Sequence, residues 1–413
     1  MKPTSVAGVI ALLVLVSSVQ AQSQPGPQSR PAATTTPQDA PPVGGGAAGK
    51  FGGRMGGRKA LAKGGETTAA AIGLGLEWLK AHQDPDGRWD GAGFMKHDKH
   101  GDPCTGAGQA THDVGITALA LLAFLGDGST RRAGPYSDVV DKAAQWLIHQ
   151  QDEKGLFGTG AVADFLYDHA IATWAICEAY GLGGAAELGP PAQKAIDYLE
   201  RHRNPYMVWR YQPRDNDNDT SATVWCVMAM RSAADFKLKV NPDSFKLAAT
   251  WLDAVTDPVT GRAGYTKRGE GSSRQPGKHG ELFPTDKNEA LTSAALLCRF
   301  FLGQTPAQRP EMGKAANTIL SKLPKWNTTD GSIDLYAWYF GTYALYQMGG
   351  RSWSLWSKAL TDALVTPQCR EGNAKGSWDP QSDVWGLSAG RVYTTAMGVL
   401  TLEAYYRYTR LVR

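Results

Sequence analysis

Two kinds of helix-length apolar segment alternate along most of the chain. One kind is apolar on nearly every face and rich in Ala, Gly, Ser and Thr: residues 114–126 (VGITALALLAFLG), 170–181, 220–233, 290–303, 337–350 and 392–408. A helix that is apolar all round is buried on all sides, and small residues let such helices approach closely. The other kind carries one apolar stripe and ends near a paired bulky residue and Leu: Trp78-Leu79, Trp146-Leu147, Tyr198-Leu199, Trp251-Leu252, Ile319-Leu320 and Ala363-Leu364. Strict alternation of the two kinds predicts an inner and an outer layer. Six helices of each kind predict an all-α fold, an (α/α)6 toroid of six helical hairpins closing on itself.

A short motif follows the outer helices. Gln83-Asp-Pro-Asp-Gly87-Arg-Trp89 is the clearest copy, and Gln151-Asp-Glu-Lys-Gly155-Leu-Phe157 the second. Weaker copies place Trp209 after the third outer helix, Gly264-Tyr265 after the fourth, Trp326 after the fifth, and Gln368, Gly376 and Trp378 after the last. The physics is that of a helix stop. Gly supplies a left-handed backbone, the Gln amide satisfies backbone groups that helix ends leave open, and the aromatic covers the neighbouring hairpin.

These Q-x-x-x-G-x-W units resemble the QW repeats of the squalene-cyclase and prenyltransferase-like family, over about residue 67 to the C-terminus. They are most specific in the first two hairpins and in GSWDP…GRVYTTAMGVLTLEAYYRY (376–408). The resemblance implies the same toroid, and it also implies which activities are missing. In the cyclases the proton donor is the middle Asp of D-x-D-D-T-A. Here the matching stretch is Asp215-Asn216-Asp217-Asn218-Asp219-Thr220, which puts Asn218 in the donor's place. An amide cannot protonate an alkene. In the prenyltransferases a zinc-ligating His follows Asp-Leu-Tyr, and here Asp334-Leu335-Tyr336 is followed by Ala337. The GCGEQ of the thioester relatives is absent. Asp215, Asp217 and Asp219 imitate a calcium loop, but Thr220 and Cys226 occupy the positions of its Gly and Glu. No metal and no cofactor is expected.

Candidate chemistry gathers where the inner helices begin. Aligning those helices on their first hydroxyl (Thr117, Thr173, Thr223, Ser293, Thr342, Thr395) places Asp113, His169, Asp219, Glu289, Trp338 and Arg391 one turn upstream. His112, Asp168 and Asp334 stand beside them, so these nine residues form the expected rim of a central cavity. Carboxylates at helix starts also serve as caps. Aromatic residues of the inner helices either line that cavity or pack the two layers together. The leading expectation is a binding module for a lipid or isoprenoid, a glycan or a protein partner. The alternative is an enzyme working at the rim, either a cyclase-like isomerase or a polysaccharide hydrolase or lyase.

Charge and cysteines refine the picture. Residues 1–21 read as a signal peptide, with Lys2, an apolar core at 9–16 and Val19-Gln20-Ala21 at the cleavage position. The protein is therefore expected to be exported, periplasmic or extracellular, and membrane-tethered only where that signal is retained. Residues 22–66 are Pro- and Gly-rich with a net charge near +4, a disordered basic linker. The whole chain is also +4, so the toroid at 67–413 is nearly neutral and gives no reason for nucleic-acid binding. No later run is long and apolar enough to span a membrane. Cys177, Cys226 and Cys298 read as buried. Cys104 and Cys369 lie in loops of the first and last hairpins, neighbours in a closed ring, and are expected to form a disulfide in an oxidising compartment.

Overall fold

The computed structural model describes residues 65–99 and 101–411. The expected signal peptide and most of the expected linker lie outside those residues. Outer helices are α1 (Glu66–Ala81), α3 (Ser137–His149), α5 (Gly189–His202), α7 (Pro242–Val255), α10 (Glu311–Leu320) and α12 (Gly350–Val365). Inner helices are α2 (Asp113–Gly126), α4 (Phe165–Gly183), α6 (Thr220–Asp235), α9 (Ala290–Phe301), α11 (Leu335–Met348) and α13 (Gly386–Leu402). Two single turns complete the set: α8 (His279–Leu282) in the loop of the fourth hairpin and α14 (Ala404–Arg407) after α13. The inner helices pack in the order α2, α4, α6, α9, α11, α13 and back to α2, so the ring closes. The fold is the α/α toroid that the alternation predicts. No helix among the described residues is long and apolar enough to cross a membrane.

The motif works by joining one hairpin to the next. Gln83 Nε2 donates to Gly87 O within its own turn and to Val139 O of α3, at 2.9 and 3.0 Å. Gln151 repeats this with Gly155 O and Pro191 O of α5. Gln368 closes the circle, donating to Gly376 O and to Ala71 O of α1 at 2.9 and 2.8 Å. The glycines are required twice over. Gly87, Gly155 and Gly376 have φ of +103°, +92° and +98°, and a Cβ on each would lie 2.2–2.3 Å from a carbonyl oxygen of the next outer helix. The aromatic then drops between the layers: the indole NH groups of Trp89, Trp209 and Trp378 donate to Leu79 O, Leu199 O and Leu364 O.

The fourth hairpin departs from the expected register. Gly261, not Gly264, takes the left-handed turn, at φ +74° against Ala315 of α10. Thr256 and Ala263 form the bridge that Gln151 and Phe157 form in the second hairpin. Tyr265, freed from the motif, points to the end of the ring where the inner helices begin.

The hydroxyl register has a structural cause. Thr117 Oγ1 and Thr223 Oγ1 accept the backbone NH of Trp89 and Trp209. In the fourth and sixth hairpins the neighbouring residue does the work: Thr292 accepts from Ala263 N, and Thr394 donates to Trp378 O. The rest, Thr173, Thr342 and Thr395, bond back to the carbonyl one turn earlier.

Ring closure also differs from expectation at the cysteines. Cys104 and Cys369 are free thiols. Arg391 occupies the seam between their loops, donating to Thr105 O at 2.7 Å and lying 3.7 Å from Cys369 Sγ. Cys177, Cys226 and Cys298 are buried as expected.

Candidate functional site

The inner helices begin at the end of the ring where the long loops lie, residues 82–112 and 256–289 among them, while the opposite end carries short connections. The ring axis itself is packed with side chains. Trp225 stacks on Tyr339 across the ring, with centroids 6.2 Å apart, and meets Phe340 and Tyr336 at 5.1 and 6.1 Å. Trp174, Trp225, Trp338, Tyr339, Phe340 and Tyr343 are all 4% exposed or less, so the inner-helix aromatics are core. An open cavity along the axis is therefore not what the rim surrounds.

The nine rim candidates separate into three groups. His169, Glu289, Trp338 and Arg391 serve the scaffold. His169 is wholly buried between the layers, where its Nδ1 accepts Phe157 N at 3.0 Å and Tyr198 packs edge-on at 4.7 Å. Burial pushes its pKa down to about 3, so it stays neutral. Glu289 is held by Arg262 through two guanidinium nitrogens, Nε and Nη2, and by Thr292 Oγ1. Trp338 packs on Trp326. Arg391 binds Asp379 and Ser377 at the seam. Their height along the inner helices matches the sequence alignment, but neighbouring loops claim their side chains.

Asp334 is a cap. Its Oδ1 accepts Ala337 N at 2.9 Å and Oδ2 accepts Asn288 Nδ2 at 3.0 Å. Asp383, absent from the sequence reading, caps the same helix from a distance by accepting Leu335 N at 2.8 Å. Burial first, and the Asp334 charge second, push Asp383 up to about 7. Its other oxygen accepts Trp385 N at 2.9 Å just ahead of α13, so its reach to α11, whose start lies 48 residues earlier, leaves no local pattern in the sequence.

Asp113, Asp168, Asp219 and His112 remain at the mouth, where Asp219 is wholly buried and His112 partly exposed. Asp113 opens α2; its Oδ1 accepts Gly91 N at 2.9 Å, and Arg88 approaches Oδ2 only to 3.4 Å. Desolvation outweighs these contacts and raises its pKa to about 6. His112 Nδ1 lies 3.1 Å from Asp168 Oδ2, and this contact holds the imidazole's pKa above its ordinary value. Burial raises Asp168 in spite of the same contact. Asp113 and Asp168 line one cavity of about 320 Å3 between the first two hairpins, with Arg88, Trp146, Phe157 and Phe165. Trp146 is only partly buried and offers a ring to that space.

Asp219 sits nearby in a basket of tyrosines. Its Oδ1 caps α6 by accepting Ala222 N at 2.7 Å, while Oδ2 accepts the Tyr265 hydroxyl at 3.4 Å and lies 3.8 Å from Arg210. Tyr211 OH and Tyr265 OH share a hydrogen bond of 2.5 Å, and Tyr167 packs against Tyr211. Burial raises Asp219 to about 6. Loops bring Arg88, Arg210, Tyr211 and Tyr265 to this mouth, and the pattern of the helix starts gives no sign of them. Asn218, at the position of the cyclase proton donor, instead ties its loop together by accepting Val208 N at 3.0 Å.

No family model matches this chain, and no curated protein matches it in sequence. Solved structures do match. The GH76A α-1,6-mannanase from Salegentibacter sp. HEL1_6 is similar over 81% of this chain and 98% of that one, at TM-score 0.54 and 11% identity. Cellobiose 2-epimerase from Bacillus thermoamylovorans B4167 covers 82% and 98%, at TM-score 0.53 and 11% identity. An α-amylase from Clostridium perfringens covers 82% and 98%, at TM-score 0.53 and 10% identity. At such identities the likeness establishes the fold, an α/α toroid, and nothing finer.

Proposed function

We propose that this toroid is an enzyme acting on a saccharide in the cavity between its first two hairpins, with Asp113 as proton donor and Asp168 as the second carboxylate. The observation that carries this reading is one cavity holding two buried carboxyls, a guanidinium and a partly exposed indole. A volume of about 320 Å3 is at the small end of ligand pockets and suits a sugar unit or two. An aromatic face stacks on the apolar side of a pyranose, while carboxylates and Arg88 meet its hydroxyls. A carboxyl raised to about 6 is partly protonated near neutral pH, the state a general acid needs. His112 beside Asp168 favours the ionised form of that carboxyl, against the burial that raises it.

The filled ring axis speaks against a long isoprenoid chain, since Trp225, Tyr339 and Phe340 occupy the space it would need. Three similarly folded proteins, a mannanase, a cellobiose epimerase and an amylase, are named for work on carbohydrates, which agrees with this reading. Export through residues 1–21 would put the substrate outside the cytoplasm.

A second reading, saccharide binding without turnover, is favoured by the bond from Gly91 N, which gives Asp113 a structural duty. Incubation with a panel of polysaccharides separates the two, with reducing ends and unsaturated sugars as readouts. Turnover that Asp113→Asn and Asp168→Asn abolish, with the fold retained, supports the enzyme. Retention of a polysaccharide without product, unchanged in Asp113→Asn, supports the binder. Neither turnover nor binding on any polymer sinks both.

A further inference from the structure

We propose that His82, Asp98 and Cys104 form a metal site for zinc in the loop of the first hairpin. The ligating atoms of the three side chains all lie within 4.8 Å of one another. A tetrahedral zinc with bonds of about 2.0–2.3 Å holds its ligands on the order of 3.5 Å apart, so a small inward adjustment completes the geometry. The expectation of no metal came from the inner-helix starts and an imitation calcium loop; this trio stands elsewhere.

Three further observations fit a set of metal ligands. His82 Nδ1 lies 2.7 Å from Trp78 O and donates its proton there, which leaves Nε2 with a lone pair. That nitrogen faces Asp98 Oδ1 at 3.1 Å, so two acceptors meet unless a proton or a metal ion lies between them. An imidazole anchored through one nitrogen and open at the other is the arrangement that fixes a metal ligand. Trp78, stacked on the His82 ring at 4.0 Å, fixes its plane. The loop also places the third donor firmly, because Cys104 N donates to Asp98 Oδ2 at 2.6 Å.

Charge fits as well. His82 and Cys104 are 4% and 7% exposed. One thiolate, one carboxylate and one neutral imidazole balance a divalent ion, so the buried site is neutral overall. The ligand set of one sulfur, one nitrogen and one oxygen suits zinc better than magnesium or calcium. Three protein ligands leave a fourth position for water. The ion would lock Asp98 and Cys104 onto the end of α1.

The test uses the full chain, purified without a histidine tag, reduced and stripped with chelator. Cobalt(II) is titrated in as the probe and then displaced with zinc. The expected result is one equivalent of cobalt with a sulfur-to-cobalt charge-transfer band, lost on adding zinc. Cys104→Ser should remove that band, Asp98→Asn should weaken binding by at least about tenfold, and Cys369→Ser should change neither. Circular dichroism establishes that each variant is folded, and Asp98→Asn keeps the proposal testable should Cys104→Ser fail to fold. A folded, reduced wild-type chain that takes up no cobalt would overturn it. So would a band that survives in Cys104→Ser, or an intact mass showing Cys104 and Cys369 joined by a disulfide.

Discussion

The two ends of the inner barrel treat charge in opposite ways. At the end where the inner helices finish, Arg407 is wholly buried yet bonded to Glu178 and Glu403, each at 2.9 Å, and to Leu122 O at 2.7 Å. Trp174 and Tyr408 complete Glu178. At the end where they begin, Asp113 and Asp219 are almost as buried, but their guanidinium neighbours stand off at 3.4 and 3.8 Å, and both carboxyls are pushed up to about 6. Charge that serves the fold is neutralised in place, whereas charge at the mouth is left under-compensated, as sites of chemistry often are.

That contrast can be broken in four places. Arg407→Leu should be the most damaging, costing about 3–5 kcal/mol in chemical denaturation because two buried carboxylates lose the positive charge between them. A loss below about 1 kcal/mol would show that the plug is not a true ion cluster. Asp113→Asn should act in the other direction, gaining roughly 1–3 kcal/mol at pH 7. The sign follows from the raised pKa. In the wild type this group's contribution is fully present below its unfolded value of 3.8 and is lost as pH rises through about 6. Stability curves of wild type and variant should therefore converge near pH 4 and separate by pH 7.

Asp334→Ala sharpens the comparison within the mouth. As a cap with both oxygens bonded, Asp334 should cost about 1 kcal/mol when removed, seen as a lower thermal midpoint. Equal behaviour of Asp334→Ala and Asp113→Asn would abolish the distinction between a cap and an under-compensated acid. The smallest effect belongs to Tyr265→Phe, which removes one long hydrogen bond from Asp219. The Asp219 carboxyl should titrate still higher by NMR, with a stability change of about 0.5–1 kcal/mol.

The architecture was legible because alternating all-apolar and amphipathic helices admit few arrangements, and because Gln83, Gln151 and Gln368 each announce a joint. The site was legible only in part. A register along a helix tells height but not direction. It put His169, Glu289 and Arg391 at the correct end while leaving unseen that Phe157, Arg262 and Thr105 claim them. Asp113, Asp168 and Asp219 were found because each sits at or near a helix start. Asp383 and Arg210 were invisible, since loops bring them in from positions that no periodicity marks, and Arg88 and Tyr265 were legible only as parts of the helix-stop motif. The fourth hairpin shows the same limit: without Gln, nothing in the sequence favours Gly261 over Gly264.

The bond from Gln368 to Ala71 O joins residues 297 apart in sequence. A ribosome emits α1 long before α12 exists, so the first hairpin must wait for the last before its outer helix is covered. Contacts of such separation slow folding and leave apolar faces exposed in the interval. A chain stopped before residue 368 should then behave as an aggregating fragment rather than a smaller ring. A permutant that joins the ends of the toroid and opens instead at the short connection after α11 would move the waiting to a different joint without removing it.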